Sequence, residues 1–233
     1  MAYRAHRTRE GTTVLRNERL TALAGVILLI LILAQFVITA NLHAFIPIHI
    51  LLGMLLAGPM IVKLFSIGYK FIRYYSGHPE FVRKGPPNIW MRLLGPLLAA
   101  DTILVFASGF GLALTGPTSH GIFFLAHAAS TAAFIPLVAV HVYAHIRKAT
   151  RLVASDFGGR SRDRVGGRGG RLRFTLLGLI LGVVGAVLML PVASRWANWQ
   201  ISPALPTPFA LGIVAAVFGV LIAIPILRGS YEK

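Results

Sequence analysis

Six stretches of this chain, at about 20–40, 44–70, 91–115, 121–146, 172–194 and 207–227, are apolar almost without interruption. A helix needs roughly 20 such residues to cross the hydrocarbon of a bilayer. In lipid only helices and closed barrels satisfy their own backbone, and these runs are too long and too unalternating for barrel strands. The expected fold class is an all-α integral membrane protein of six spans. No short apolar segment precedes a small-residue cleavage site, so the first run is expected to stay as a span rather than leave as a signal peptide.

A formal charge of +16 and a Gly/Arg segment from Gly158 to Arg173 would suggest nucleic acid in a soluble chain. The placement of the charges argues otherwise. With the spans as above, all of the 23 Lys and Arg residues except Arg195 fall on one side. The positive-inside rule then puts both termini in the cytoplasm, with the lipid bilayer rather than nucleic acid as partner. The absence of cysteine excludes disulfides, thiolate-held iron–sulfur clusters and Cys-attached haem.

Short connections near Thr39–His43 and Thr115–Gly121 require antiparallel hairpins, so the first four spans are expected to form a four-helix bundle. The organisation expected is a basic N-terminus at 1–19, the bundle at 20–148, a Gly/Arg-rich mobile linker at 149–171, and a two-helix C-terminal hairpin with tail at 172–233. Trp196 and Trp199, in the loop of that hairpin, suit an aromatic anchor at the outer interface.

Histidine placement carries the chemistry. His127 and His141 lie fourteen residues apart on one span, nearly four whole helical turns and roughly 21 Å, so they share a face at opposite leaflets. His49 sits about six residues into the second span, as His127 does into the fourth, and both spans run in the same direction. The two rings are therefore expected to meet across one haem b, with Gly53 one turn after His49 leaving room for a porphyrin. The plain alternative is a pair of histidines hydrogen-bonded between helices. His141, with His145 one turn on, is the candidate ligand of a second haem, for which no other span offers a histidine at that depth; fourteen after His49 comes Lys63. His43, His78 and His120 are expected to be solvated and inert.

Asp101 is read as the one acidic residue deep in a span, at a height similar to that of Lys63 on the neighbouring one. Those two are expected either to pair or to leave Asp101 as a proton relay to a quinone.

The stretches FLAHAASTAAFIPLVAVHVYA (Phe124–Ala144) and PIHILLG (Pro47–Gly53) resemble the membrane cytochrome b subunits of bacterial formate dehydrogenases (the gamma subunit) and nickel–iron hydrogenases, within the cytochrome b561-like group. The resemblance covers about Leu20 to Lys148. It implies haem b ligation by His49, His127 and His141, and electron transfer between quinone and an extracytoplasmic or membrane-associated redox partner. The family's first span opens with a histidine beside a tryptophan, where this chain reads NERLTAL from Asn17 to Leu23. The segment GYKFIRYYSGHPEFVRKGPP (Gly68–Pro87) also resembles actinobacterial membrane cytochromes that accompany molybdopterin oxidoreductases. Such a chain would be an electron-transfer subunit of an oxidoreductase rather than a catalyst by itself. A different class of function, a haem-free transporter or membrane assembly subunit, would use His49, His127, Asp101 and Lys63 as an intramembrane polar path.

Overall fold

A computed structural model describes residues 12–86, 88–118, 121–158, 165–199 and 207–229. All regular structure among them is helical: α1 (Thr12–Ala40), α2 (Leu42–Tyr75), α3 (Pro79–Lys84), α4 (Ile89–Thr115), α5 (Gly121–Phe157), α6 (Arg168–Leu188), α7 (Leu190–Ser194) and α8 (Pro208–Gly229). Six of these helices, α1, α2, α4, α5, α6 and α8, are long and apolar enough to cross a membrane. Only 17–28% of the most apolar window of each is buried by protein. Phe65 and Val37, for example, are 80% and 75% exposed. Apolar surface on that scale, on every long helix, suits lipid as the solvent and not water.

Helix ends follow from local chemistry. The Asn88 side chain accepts a hydrogen bond from the Met91 amide at 2.9 Å and so starts α4. Gly116, at φ 85°, closes the same helix in a conformation that a side chain would strain, and Pro117 prevents its continuation. In α2 the helical path breaks at Phe45 (φ −128°, ψ 20°), so Pro47 falls in the first turn of the straight part, where its missing N–H costs nothing. His49 thus projects from a freshly started helix.

The chain divides into two compact units. In the first (Met1–Leu33, Met54–Pro86 and Arg147–Gly185), α2 and α6 meet backbone to backbone. A Cβ on Gly58 would lie 1.9 Å from the Gly178 carbonyl oxygen, and one on Gly182 would lie 2.4 Å from the Leu55 oxygen. Gly178 and Gly182 stand four apart on one face of α6, the small-residue spacing that lets membrane helices approach closely. Polar contacts join α1 to α2: the Asn17 amide donates to the Ser66 carbonyl at 3.0 Å, and the Thr21 and Ser66 hydroxyls are hydrogen-bonded.

This unit also holds an ionic cluster at the expected linker. Asp156 is 7% exposed and accepts from Arg19 at 2.9 Å and from Arg171 Nε at 2.9 Å. Residues 149–157 are helical, as the end of α5, and Arg171 lies in the first turn of α6; 159–164 lie outside the described residues. The expected linker 149–171 is thus helical at both of its ends, over 149–157 and from Arg168 on. Glycine and charge density suggested a solvated segment, but a carboxylate shared by two guanidiniums can be buried. With 37 residues α5 is about 55 Å long, well beyond the roughly 30 Å of hydrocarbon, so its last turns need not lie in lipid.

The second unit comprises Ala34–Gly53, Pro87–Ile146 and Ala186–Lys233. Here α8 packs on α5 through Gly212, whose Cβ would meet Ile135 at 2.6 Å, and α1 touches α8 through Phe36 and Phe209. Trp196 differs from the expected interfacial anchor. It is 3% exposed and donates its indole N–H to the Ala113 carbonyl at 3.2 Å, closing the end of α4. Its ring stands against Trp199, which in turn meets Phe124.

Candidate functional site: a facing histidine pair

His49 on α2 and His127 on α5 meet within the second unit, their ring centroids 6.2 Å apart and their planes 79° to each other. Each ring is held through Nδ1. His127 Nδ1 lies 3.0 Å from the Val105 carbonyl and 3.3 Å from the Ser108 hydroxyl. A carbonyl only accepts, so the His127 proton resides on Nδ1 and the Nε2 lone pair is left bare. Ser108 gives its own proton to the Leu104 carbonyl at 2.6 Å and can accept as well. Such second partners are what orient a metal-ligating histidine.

His49 Nδ1 lies 2.8 Å from Gln35 Nε2 and 3.2 Å from the Thr39 hydroxyl, both on α1. Gln35 Nε2 also donates to the His49 backbone carbonyl at 3.1 Å. Among the described residues neither histidine Nε2 has a hydrogen-bond partner. Nor are these atoms sealed: both residues are half-buried, and neither Nε2 is among the buried, unpartnered side-chain atoms.

The residues fit a haem iron on three counts. A metal–nitrogen bond of about 2 Å on each side, plus the reach from nitrogen to ring centre, would place two imidazoles that hold one iron with centroids about 6 Å apart, close to the 6.2 Å between His49 and His127. The nitrogens that would ligate have no protein partner: His127 Nε2 is bare, while His49 Nε2 carries the ring proton as long as Gln35 donates to Nδ1. A Cβ on Gly53 would meet nothing nearer than Gln35 Nε2 at 4.0 Å, so the space beside His49 is not filled by protein. On the other side Gly109 admits the His127 ring against the α4 backbone, since a Cβ there would lie 2.8 Å from Cε1.

The other candidates lie elsewhere. His141 stands against His145, ring centroids 4.7 Å apart, on the same helix. Among the described residues no group of three or more His, Cys, Asp or Glu side chains has metal-binding geometry. Asp101 lies in the second unit, four and seven residues before Val105 and Ser108 and so on the same face of α4; its Oδ2 is buried without a hydrogen-bond partner. Lys63 lies in the first unit, its ammonium beside Gly25, where a Cβ would be 3.3 Å from Nζ. His6 and His120 lie outside the described residues. Gln35, Thr39, Val105, Ser108 and Gly109 are the site residues that the sequence did not single out. A Gln and a Thr four apart, one helical hairpin before a histidine, was the only available signal. No family description, no curated protein and no solved structure matches the chain.

Proposed function

We propose that this chain is a membrane-embedded b-type cytochrome that passes electrons between the quinone pool and a partner redox protein. The supporting observation is the convergence of His49 and His127 at 6.2 Å with both Nδ1 atoms engaged by protein and both Nε2 atoms open. A haem b bound by the pair would supply a one-electron iron centre inside the bilayer. The chain's own part is to bring the two imidazoles together from separate helices, to orient each through its Nδ1, and to surround them with apolar spans. The resemblance of Pro47–Gly53 and Phe124–Ala144 to membrane cytochrome b subunits supports the same reading. It suggests an extracytoplasmic or membrane-associated oxidoreductase as partner, with a molybdopterin enzyme as the class hinted at by Gly68–Pro87. The basic-residue pattern favours cytoplasmic termini, and the resemblance implies a bacterial cytoplasmic (plasma) membrane.

The proposal extends to one haem. The second reading, a haem-free transporter or assembly subunit, draws on the unpartnered Asp101 oxygen, since ionisable groups left alone in a span mark ion or proton paths.

The reduced-minus-oxidised absorption spectrum of purified protein separates the two. Wild type should show a low-spin b-type pattern, and His49→Ala and His127→Ala should each abolish it, because either substitution removes one of the two side chains that would hold the haem. A full low-spin spectrum in either variant would show the ligand pair to be wrong, and a colourless wild type would favour the transporter.

A further inference from the structure

The two histidines are not held alike. Val105 fixes the His127 proton on Nδ1 and leaves no second setting. The partner of His49 is an amide, which can present either a donor or an acceptor. As placed, Gln35 turns its NH2 toward His49, reaching Nδ1 at 2.8 Å and the backbone carbonyl at 3.1 Å. An imidazole that accepts at Nδ1 carries its proton on Nε2 and has no lone pair there for a metal. In the same setting Gln35 Oε1 is buried with no partner, an acceptor held ready but unused.

We infer that Gln35 is the positioning residue that chooses which nitrogen of His49 carries the proton, through an amide whose half-turn would leave Nε2 free to hold a haem iron; the inference rests on the haem reading above. Rotation by half a turn exchanges Oε1 and Nε2, so Oε1 accepts from Nδ1–H. The proton that leaves Nε2 is balanced by the one gained at Nδ1, and the ring stays neutral.

Thr39 makes the second setting available. Its hydroxyl donates to the Gln35 backbone carbonyl at 2.7 Å and can only accept from the ring, 3.2 Å away, so it favours a proton on Nδ1 throughout. With the amide as placed, Gln35 and Thr39 make opposite demands on Nδ1; after rotation both accept from it. Rotation gives up the bond to the His49 carbonyl and sets two oxygens face to face, which keeps the first setting preferred until metal binds. His127 is thus a preset ligand and His49 a gated one.

Histidine-selective 15N NMR of the haem-free protein reads the tautomer directly. In the wild type, His49 should carry its proton on Nε2, and in Gln35→Met, where only the accepting Thr39 remains, on Nδ1. In the haem-loaded protein, Gln35→Glu, an acceptor with no donor, should favour ferric over ferrous iron about tenfold more than wild type, a fall of about 59 mV in midpoint potential. Gln35→Met should raise the potential, because the ligand loses a hydrogen bond that increases its basicity. A side chain that only fills space would move neither reading.

A proton already on Nδ1 in the haem-free wild type would overturn the inference, as would potentials equal to wild type in both variants. These outcomes leave the cytochrome reading intact. A wild type that takes up no haem would remove that reading and this inference with it. If Gln35→Glu fails to fold, the tautomers of the wild type and of Gln35→Met still decide.

Discussion

At the scale of residues, the site depends on what is missing as much as on what is present. Gly109 has no side chain, and only for that reason can the His127 ring reach the Val105 carbonyl. Gly109→Ala would put a carbon 2.8 Å from Cε1 and 3.0 Å from Nδ1, so the ring must shift and its orienting bond stretch. The expected outcome is a stability loss of about 1–3 kcal/mol from overpacking and a haem affinity lower by about 10–100-fold. Gly95→Ala, on the same helix and with open space at its Cβ, should leave haem affinity unchanged and stability unchanged or raised by about 0.5–1 kcal/mol, and serves as the control. Haem titration and thermal unfolding in detergent check both variants. The histidine pair was legible in the sequence because depth along a span can be counted at 1.5 Å per residue. Its orienting partners were not. A backbone carbonyl such as that of Val105 leaves no mark in a sequence, and Gln35 on α1 acquires meaning only once α1 and α2 are seen to meet.

At the scale of elements, the six apolar runs became six long helices, since long uninterrupted hydrophobicity leaves a chain in lipid few alternatives. The roles of α6 and α8 were less visible. Neither carries a histidine, so the sequence left them as a C-terminal hairpin, either lipid-facing scaffold or a docking surface for a partner, whereas α6 meets α2 at Gly58, Gly178 and Gly182, and α8 backs the histidine-bearing α5 at Ile135. Small residues four apart permit such a crossing, but which helix supplies the opposing glycine is a tertiary fact. Gly58→Ala should therefore lower thermal stability by an amount at or above the upper end of about 1–3 kcal/mol, because the obstructing atom is a carbonyl oxygen of a neighbouring backbone and cannot rotate aside. Gly68→Ala, on the same helix with nothing within 4 Å, should be neutral or gain about 0.5–1 kcal/mol of helix propensity. Equal melting temperatures for the two variants would contradict the close crossing. The ends of α5 and α6 taught a similar lesson. Asp156 looked like linker because its partners, Arg19 and Arg171, are distant in sequence or masked by the surrounding basic residues, and a shared carboxylate is recognised only when all three are brought together.

At the scale of the whole molecule, the chain is a helical protein whose apolar exterior suits a bilayer, with its facing histidines gathered in one of its two compact units. It has no cysteine, so the proposed redox role would rest on noncovalent haem, for which His49 and His127 are the proposed ligands. Orientation enters through the one-sided distribution of basic residues, which would put the Gly/Arg segment in the cytoplasm. The most direct test of the central claim is a pyridine haemochrome assay on the purified chain, quantified against protein concentration. The account predicts b-type haem at about one per chain, lost in His49→Ala and in His127→Ala. A chain that is folded, as judged by cooperative thermal unfolding, but holds no haem would contradict it.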